Sequence, residues 1–138
     1  MRRKSSGIWW RRKTGSVAKA ENLLFEELSK RNLTANMTTQ RGFTFDREKE
    51  GVGGTVVDYL WKFDDWQYAV FLDGEQIHKK YHQANKDELI VTALLRRGMI
   101  VERFTYHAPI SDKALKVIAD GIEKTLRDRK VRLNPQDP

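Results

Sequence analysis

Four acidic residues stand where their neighbours favour hydrophobic side chains. Glu21 interrupts the helical series Val17, Ala20, Leu24 and Leu28, lying four residues after the first and three before Leu24. At 100° per residue it projects from the middle of the apolar face. Asp58 sits inside TVVDYLW, on one face with Val56 and Leu60, and Asp73 closes the apolar run WQYAVFLDG. Asp87 precedes Ile90 and Val91 by three and four residues and so leans toward a buried helix face. A carboxylate buried without a partner is costly, so each acid needs compensation. Four separate ion pairs with lysines and arginines would supply it. So would convergence on one divalent cation, because Mg²⁺ and similar hard ions take oxygen ligands, often one or two carboxylates with water and phosphate oxygens. His78, five residues after Asp73, is a titratable base near whatever Asp73 binds, a grouping that suits phosphodiester hydrolysis. It could equally be a surface or packing histidine.

The elements that must position these residues follow from periodicity. Ser16 can cap a helix running to about Lys30. Signals weaken between Arg31 and Gly54, where GFTF at 42–45 suggests a short strand before the turn DREKEGVGG. Thr55 to Trp61 and Trp66 to Gly74 read as a hairpin of two strands, the second apolar enough to be buried on both faces. Asn85, Glu88 and Gly98 frame a helix as N-cap, capping-box partner and terminator, with Ile90, Val91, Leu94 and Leu95 as its buried face. Met99 to Tyr106 reads as a further strand, parallel to the one before the helix because of the crossover between them. Ser111 opens a last helix carrying Leu115, Ile118, Ile122 and Leu126. The pattern predicts an α/β fold: a small mixed β-sheet of three or four strands flanked by α-helices. It divides into an arm (1–14), a single domain (15–126) and a polar, basic tail (127–138).

Composition bounds the function. The 138 residues suit one domain, and 39% hydrophobic content argues against global disorder. No cysteine is present, which excludes disulfides, cysteine nucleophiles and thiolate zinc sites. No apolar run approaches a membrane span and the basic start lacks a signal-peptide core, so a soluble, cytoplasmic protein without membrane contact is expected. Lys and Arg number 26 against 19 Asp and Glu, a net charge of +7 that favours a polyanionic partner. Much of that charge lies in the arm, where Arg2, Arg3, Lys4, Arg11, Arg12 and Lys13 surround Trp9 and Trp10. The cations would bind phosphates without reading sequence. The tryptophans could stack on bases or dock on the domain.

The ordered set AENLLFEEL around Glu21, VVDYLW around Asp58, VFLDGEQIH from Val70 to His78 and KDELIVTALLRRGMIVERF from Lys86 to Phe104 resembles the very-short-patch-repair-like endonucleases. These are a branch of the restriction-endonuclease-like superfamily, and the resemblance spans roughly Ala20 to Phe104. It implies a restriction-endonuclease-like core and Mg²⁺- or Mn²⁺-dependent cleavage or nicking of DNA, with RNA a less favoured substrate. Asp58 becomes the metal ligand and His78 the catalytic histidine, while Glu21 and Asp87 support the metal waters and the active-site network. Asp73 falls where the family varies, and the Leu72 carbonyl falls where some members add a main-chain ligand. A second assignment within the superfamily takes Asp58, Asp73 and Glu75 as an acid triad and leaves His78 unused.

Two departures narrow the expectation. The mismatch-repair members build a zinc site with cysteines, which this chain lacks, and carry aromatic wedges where it has Glu75 to Ile77. That argues against T:G mismatch repair. A non-catalytic nucleic-acid-binding module of the same fold is the rival expectation, and the chain could act as a monomer or a homodimer.

Overall fold

A computed structural model describes residues 15–74 and 81–133. Ala20, Leu24 and Leu28 recur at helical spacing, and the chain folds there as α1 (Gly15–Lys30), which buries all three. Strand β1 (Met37–Thr44) follows, then a single helical turn α2 (Arg47–Glu50), then strands β2 (Gly54–Lys62) and β3 (Gln67–Gly74). Helix α3 (Tyr81–Arg96), strand β4 (Ile100–Tyr106) and helix α4 (Asp112–Leu133) complete the order. The strands form one sheet in sequence order, β1 and β3 antiparallel to β2, and β4 parallel to β3. This is the mixed α/β arrangement that the alternation of strand and helix patterns predicts.

The two faces of the sheet carry separate cores. On one, Leu24 and Leu28 of α1 and Leu115, Ile118, Ile122 and Leu126 of α4 pack against Tyr59, Trp61, Tyr68, Val70 and Leu72. On the other, Ile90, Ala93 and Leu94 of α3 join Phe45, Val52, Val57, Leu60, Ala69 and Phe71. Every residue of β3 from Tyr68 to Leu72 is buried, as expected for a strand covered on both sides. Arg31 ties α1 to α4 through Glu27, Asp120 and Glu123. Among the described residues no helix is long and apolar enough to cross a membrane.

Several boundaries differ from the sequence reading. β1 starts at Met37, five residues before GFTF; its outer exposure gives it little apolar alternation to read. DREKEGVGG contains α2, capped by the Asp46 carboxylate on the Glu48 N–H (3.0 Å) and ended by Gly51 at φ 81°. α3 begins at Tyr81, so Asn85 lies inside the helix and is not its cap. Gly98, at φ 84°, does terminate it, with Met99 N–H bonded to Leu94 O in the loop that follows. The buried face of α3 includes Ala93 rather than Leu95, which is 52% exposed. Ser111 caps α4 by accepting from the Ala114 N–H, but the helix continues to Leu133, into the segment read as a polar tail.

The sheet has an irregularity at one level. Along the inner part of β1 and β2, Met37, Tyr59 and Trp61 point to the α1/α4 face. Along the outer part, Phe43 and Val57 point to the α3 face. Residues 57 and 59 have the same parity, so the inside-outside alternation inverts between them, and it inverts on β1 at the facing residue, Gln40. Gln40 has φ 53°, a left-handed conformation uncommon for a residue with a Cβ. The inversion also corrects the expectation that Asp58 shares a face with Leu60. The β2–β3 ladder ends at Tyr59 and Val70, although β2 extends back to Gly54 and β3 forward to Gly74. Beyond that point the outer β1–β2 ribbon leaves β3 and covers α3.

Candidate active site at the fork of the sheet

Asp58 stands where the two strands part. It is 6% exposed, and its Oδ2 accepts the main-chain N–H of Leu72 across the opening (2.8 Å). Continued pairing would have placed a carbonyl in that position. The carboxylate replaces it and so satisfies a buried donor that the fork would orphan. The other oxygen, Oδ1, lies 3.4 Å from the Gln40 side-chain nitrogen.

Glu21 reaches the same point from α1. Its Oε1 accepts from Gln40 Nε2 at 3.2 Å, so one amide group donates to both carboxylates. The helix is held in place by Tyr59, whose hydroxyl donates to the Glu21 carbonyl oxygen (2.6 Å). Burial, reinforced by the Glu21 and Asp58 charges, pushes the Tyr59 phenol far above its ordinary range. The Gln40 Oε1 atom is buried and has no hydrogen-bond partner among the described residues.

Asp73 Oδ2 is paired with Arg103 on β4 at 2.6 Å, and that guanidinium stacks on the Phe71 ring, 4.4 Å from its centroid. Phe71 faces α3, the side away from α1. Asp87 is half-buried on α3. Leu72, whose carbonyl the resemblance offers as a main-chain ligand, meets Asp58 through its N–H. His78, Glu75, and the arm residues Arg2, Arg3, Lys4, Trp9, Trp10, Arg11, Arg12 and Lys13 lie outside the described residues. Among the described residues no three histidine, aspartate or glutamate side chains form a metal-holding group. Among the described residues the structure brings Glu21 and Asp58 together on one amide group, that of Gln40.

Sequence reasoning missed Gln40 and Tyr59. Tyr59 carried the pattern of a buried strand residue, and nothing in that pattern marks its hydroxyl. Gln40 could have been found only by extending β1 back to Met37, which sets it opposite Asp58. A cavity of about 880 Å³ lies elsewhere, between the β2–β3 turn and the ends of α1 and α4, lined by Arg31, Trp61, Phe63, Trp66 and Arg127 among others. Neither Glu21 nor Asp58 borders it.

Two carboxylates suit a hard divalent cation better than a softer metal, and the Gln40 amide, which presents its nitrogen to them, could add its oxygen only by turning over. The buried, unpartnered oxygen fits the same reading, since a native structure seldom leaves such an atom unsatisfied without a use for it. Comparison with protein-family models, curated proteins and solved structures finds no match for the chain.

Proposed function

We infer that the protein is a metal-dependent DNA endonuclease or nickase with a restriction-endonuclease-like core of the very-short-patch-repair type, acting in the cytoplasm. The observation that carries this reading is the meeting of Asp58 and Glu21 at the point where β2 separates from β3. Leu72 N–H needs an acceptor there, but a neutral one such as asparagine would serve, and two carboxylates brought together cost stability. A site that must attract a cation needs them.

Asp58 would hold Mg²⁺ or Mn²⁺ through Oδ1, with Glu21 beside it. The ion supplies Lewis-acid polarisation of the scissile phosphate and charge neutralisation. Leu72 N–H fixes the Asp58 carboxylate by occupying Oδ2, which leaves Oδ1 on the side of the Gln40 amide that also holds Glu21. Tyr59 fixes α1, and with it the main chain of Glu21, against β2. His78 follows β3 by four residues and is assigned the proton taken from the attacking water, or delivered to the leaving side. Asp87 is assigned to orient that histidine, and Asp73, already paired with Arg103, to order the strand end. The cations and tryptophans of the arm would grip the phosphate backbone without reading bases.

One observation favours the rival, a non-catalytic nucleic-acid-binding module. Asp73 is neutralised by Arg103, and Leu72 N–H already bonds to Asp58, so these contacts could be structural. Incubation of supercoiled plasmid with purified protein separates the readings. The nuclease reading expects relaxed or linear product with Mg²⁺ or Mn²⁺, none with a chelator, and none from Asp58→Asn under any condition. DNA retention with intact plasmid in every arm would replace it with the binding module.

A further inference from the structure

Gln40 combines three features that are each unfavourable. Its backbone is left-handed at φ 53°, which costs a side-chain-bearing residue roughly 1 kcal/mol or more. Its amide oxygen is buried without a partner. Its amide nitrogen makes two long hydrogen bonds, 3.2 and 3.4 Å, and neither is strong by itself. A glycine would tolerate that backbone, and a hydrophobic side chain would avoid the stranded oxygen. The residue present instead places a neutral donor between two negative charges, directly opposite Asp58 in the β1–β2 register.

We propose that Gln40 is the positioning residue of the cation site, an amide that holds the gap between Glu21 and Asp58 before the ion enters and turns its oxygen to the ion afterwards. The inference rests on the metal-dependent reading above and adds a residue to it. With no cation, the N–H groups must face the carboxylates, because the opposite orientation would set an acceptor against two anions. That requirement accounts for the stranded oxygen. Arrival of a divalent cation reverses the preference, since a positive charge between the carboxylates repels the amide N–H groups and attracts Oε1. A half-turn about the terminal side-chain torsion, which is broad for glutamine, exchanges the two atoms without moving the backbone. The left-handed conformation contributes by aiming the side chain inward at the level where the strand alternation inverts.

Mn²⁺ affinity, measured by electron paramagnetic resonance of the free ion, and the rise in melting temperature on adding Mn²⁺ test this on the intact chain. Gln40→Asn tolerates the left-handed backbone but withdraws the amide by one methylene. It should bind Mn²⁺ about 10-fold more weakly, in the range seen when groups that orient metal ligands are removed. Gln40→Glu restores an oxygen at full reach. It should be less stable than wild type without metal, because three carboxylates then meet, and gain more in melting temperature from Mn²⁺ than wild type does. If wild type responds to Mn²⁺ and both variants match its affinity within twofold, Gln40 has only a structural role and the inference fails alone. If wild type itself does not respond to Mn²⁺, the metal-dependent reading fails and takes the inference with it.

Discussion

Removing the Asp58 side chain should destabilise the chain, whereas removing only its charge should leave stability nearly unchanged. In Asp58→Ala the Leu72 N–H loses its acceptor at a buried position where β2 and β3 no longer pair. An orphaned buried donor costs about 1–3 kcal/mol, and this bond is charge-assisted, which sets the expectation near 2 kcal/mol. The carboxylate's own desolvation is recovered in the variant, so larger losses are not expected. For a chain of this size the change corresponds to a melting temperature lower by about 7 °C. Asp58→Asn keeps one oxygen for Leu72. The Gln40 amide stays on Glu21, so the variant weakens only the long 3.4 Å contact to residue 58 and removes one of two facing carboxylate charges. The two changes offset each other, and the stability of Asp58→Asn should lie within about 1 kcal/mol of wild type. Urea denaturation followed by circular dichroism measures both values. Equal destabilisation by Ala and Asn would refute the reasoning, because it would show that the charge and not the acceptor holds the fork.

Glu21→Leu completes the apolar stripe of α1 but breaks one bond to Gln40, so the gain from burial and the loss of about 1 kcal/mol nearly cancel. Stability within about 1 kcal/mol of wild type together with lost plasmid cleavage is expected; a fully active variant would remove Glu21 from the site. Of the four tyrosines, Tyr59 and Tyr68 have phenols raised far above 10, the first by burial and then by Glu21 and Asp58, the second by burial and then by its hydrogen bond to Glu102. Raised values in the folded state mean that these groups favour folding fully below about pH 10 and lose that contribution as pH climbs toward the folded values. Alkaline absorbance titration should therefore show the phenols of Tyr59 and Tyr68 ionising only as the chain unfolds, identified by their loss from the unfolding step in Tyr59→Phe and Tyr68→Phe; ionisation of both before unfolding would contradict it. Deleting residues 1–13 removes six cations and should flatten the dependence of log DNA affinity on log salt, by up to about 5 if all six contact phosphates. An unchanged slope would mean that the arm does not touch DNA.

Burial patterns explain what could be read from the chain in advance. β2 and β3 were legible because nearly unbroken buried runs mark them, from Val57 to Trp61 and from Tyr68 to Leu72, and α4 because Leu115, Ile118, Ile122 and Leu126 recur at helical spacing. β1 was legible only at GFTF, because it is the outermost strand and its alternation is broken at Gln40. The start of α3 was misplaced for a related reason. Asn85 and Glu88 satisfy the rule for a cap, but Tyr81 already starts the helix, so a local signal gave way to a longer segment. For the site, periodicity singled out Glu21 and Asp58 because both violate it. The same reasoning could not separate Asp73 from them. A strand end says nothing about which side a carboxylate takes, and Arg103 becomes its partner only through the parallel pairing of β3 and β4. Gln40 violated no hydrophobic pattern and had no signal until the register set it against Asp58.

The most direct test of the account is where a divalent cation sits. Anomalous difference density from crystals of the protein soaked in Mn²⁺ should show a peak between the Asp58 and Glu21 carboxylates, at the level where β2 leaves β3, and no such peak in crystals of Asp58→Asn. A fork without density, or a single strong peak elsewhere on the chain, would contradict the assignment of this pair as the metal site.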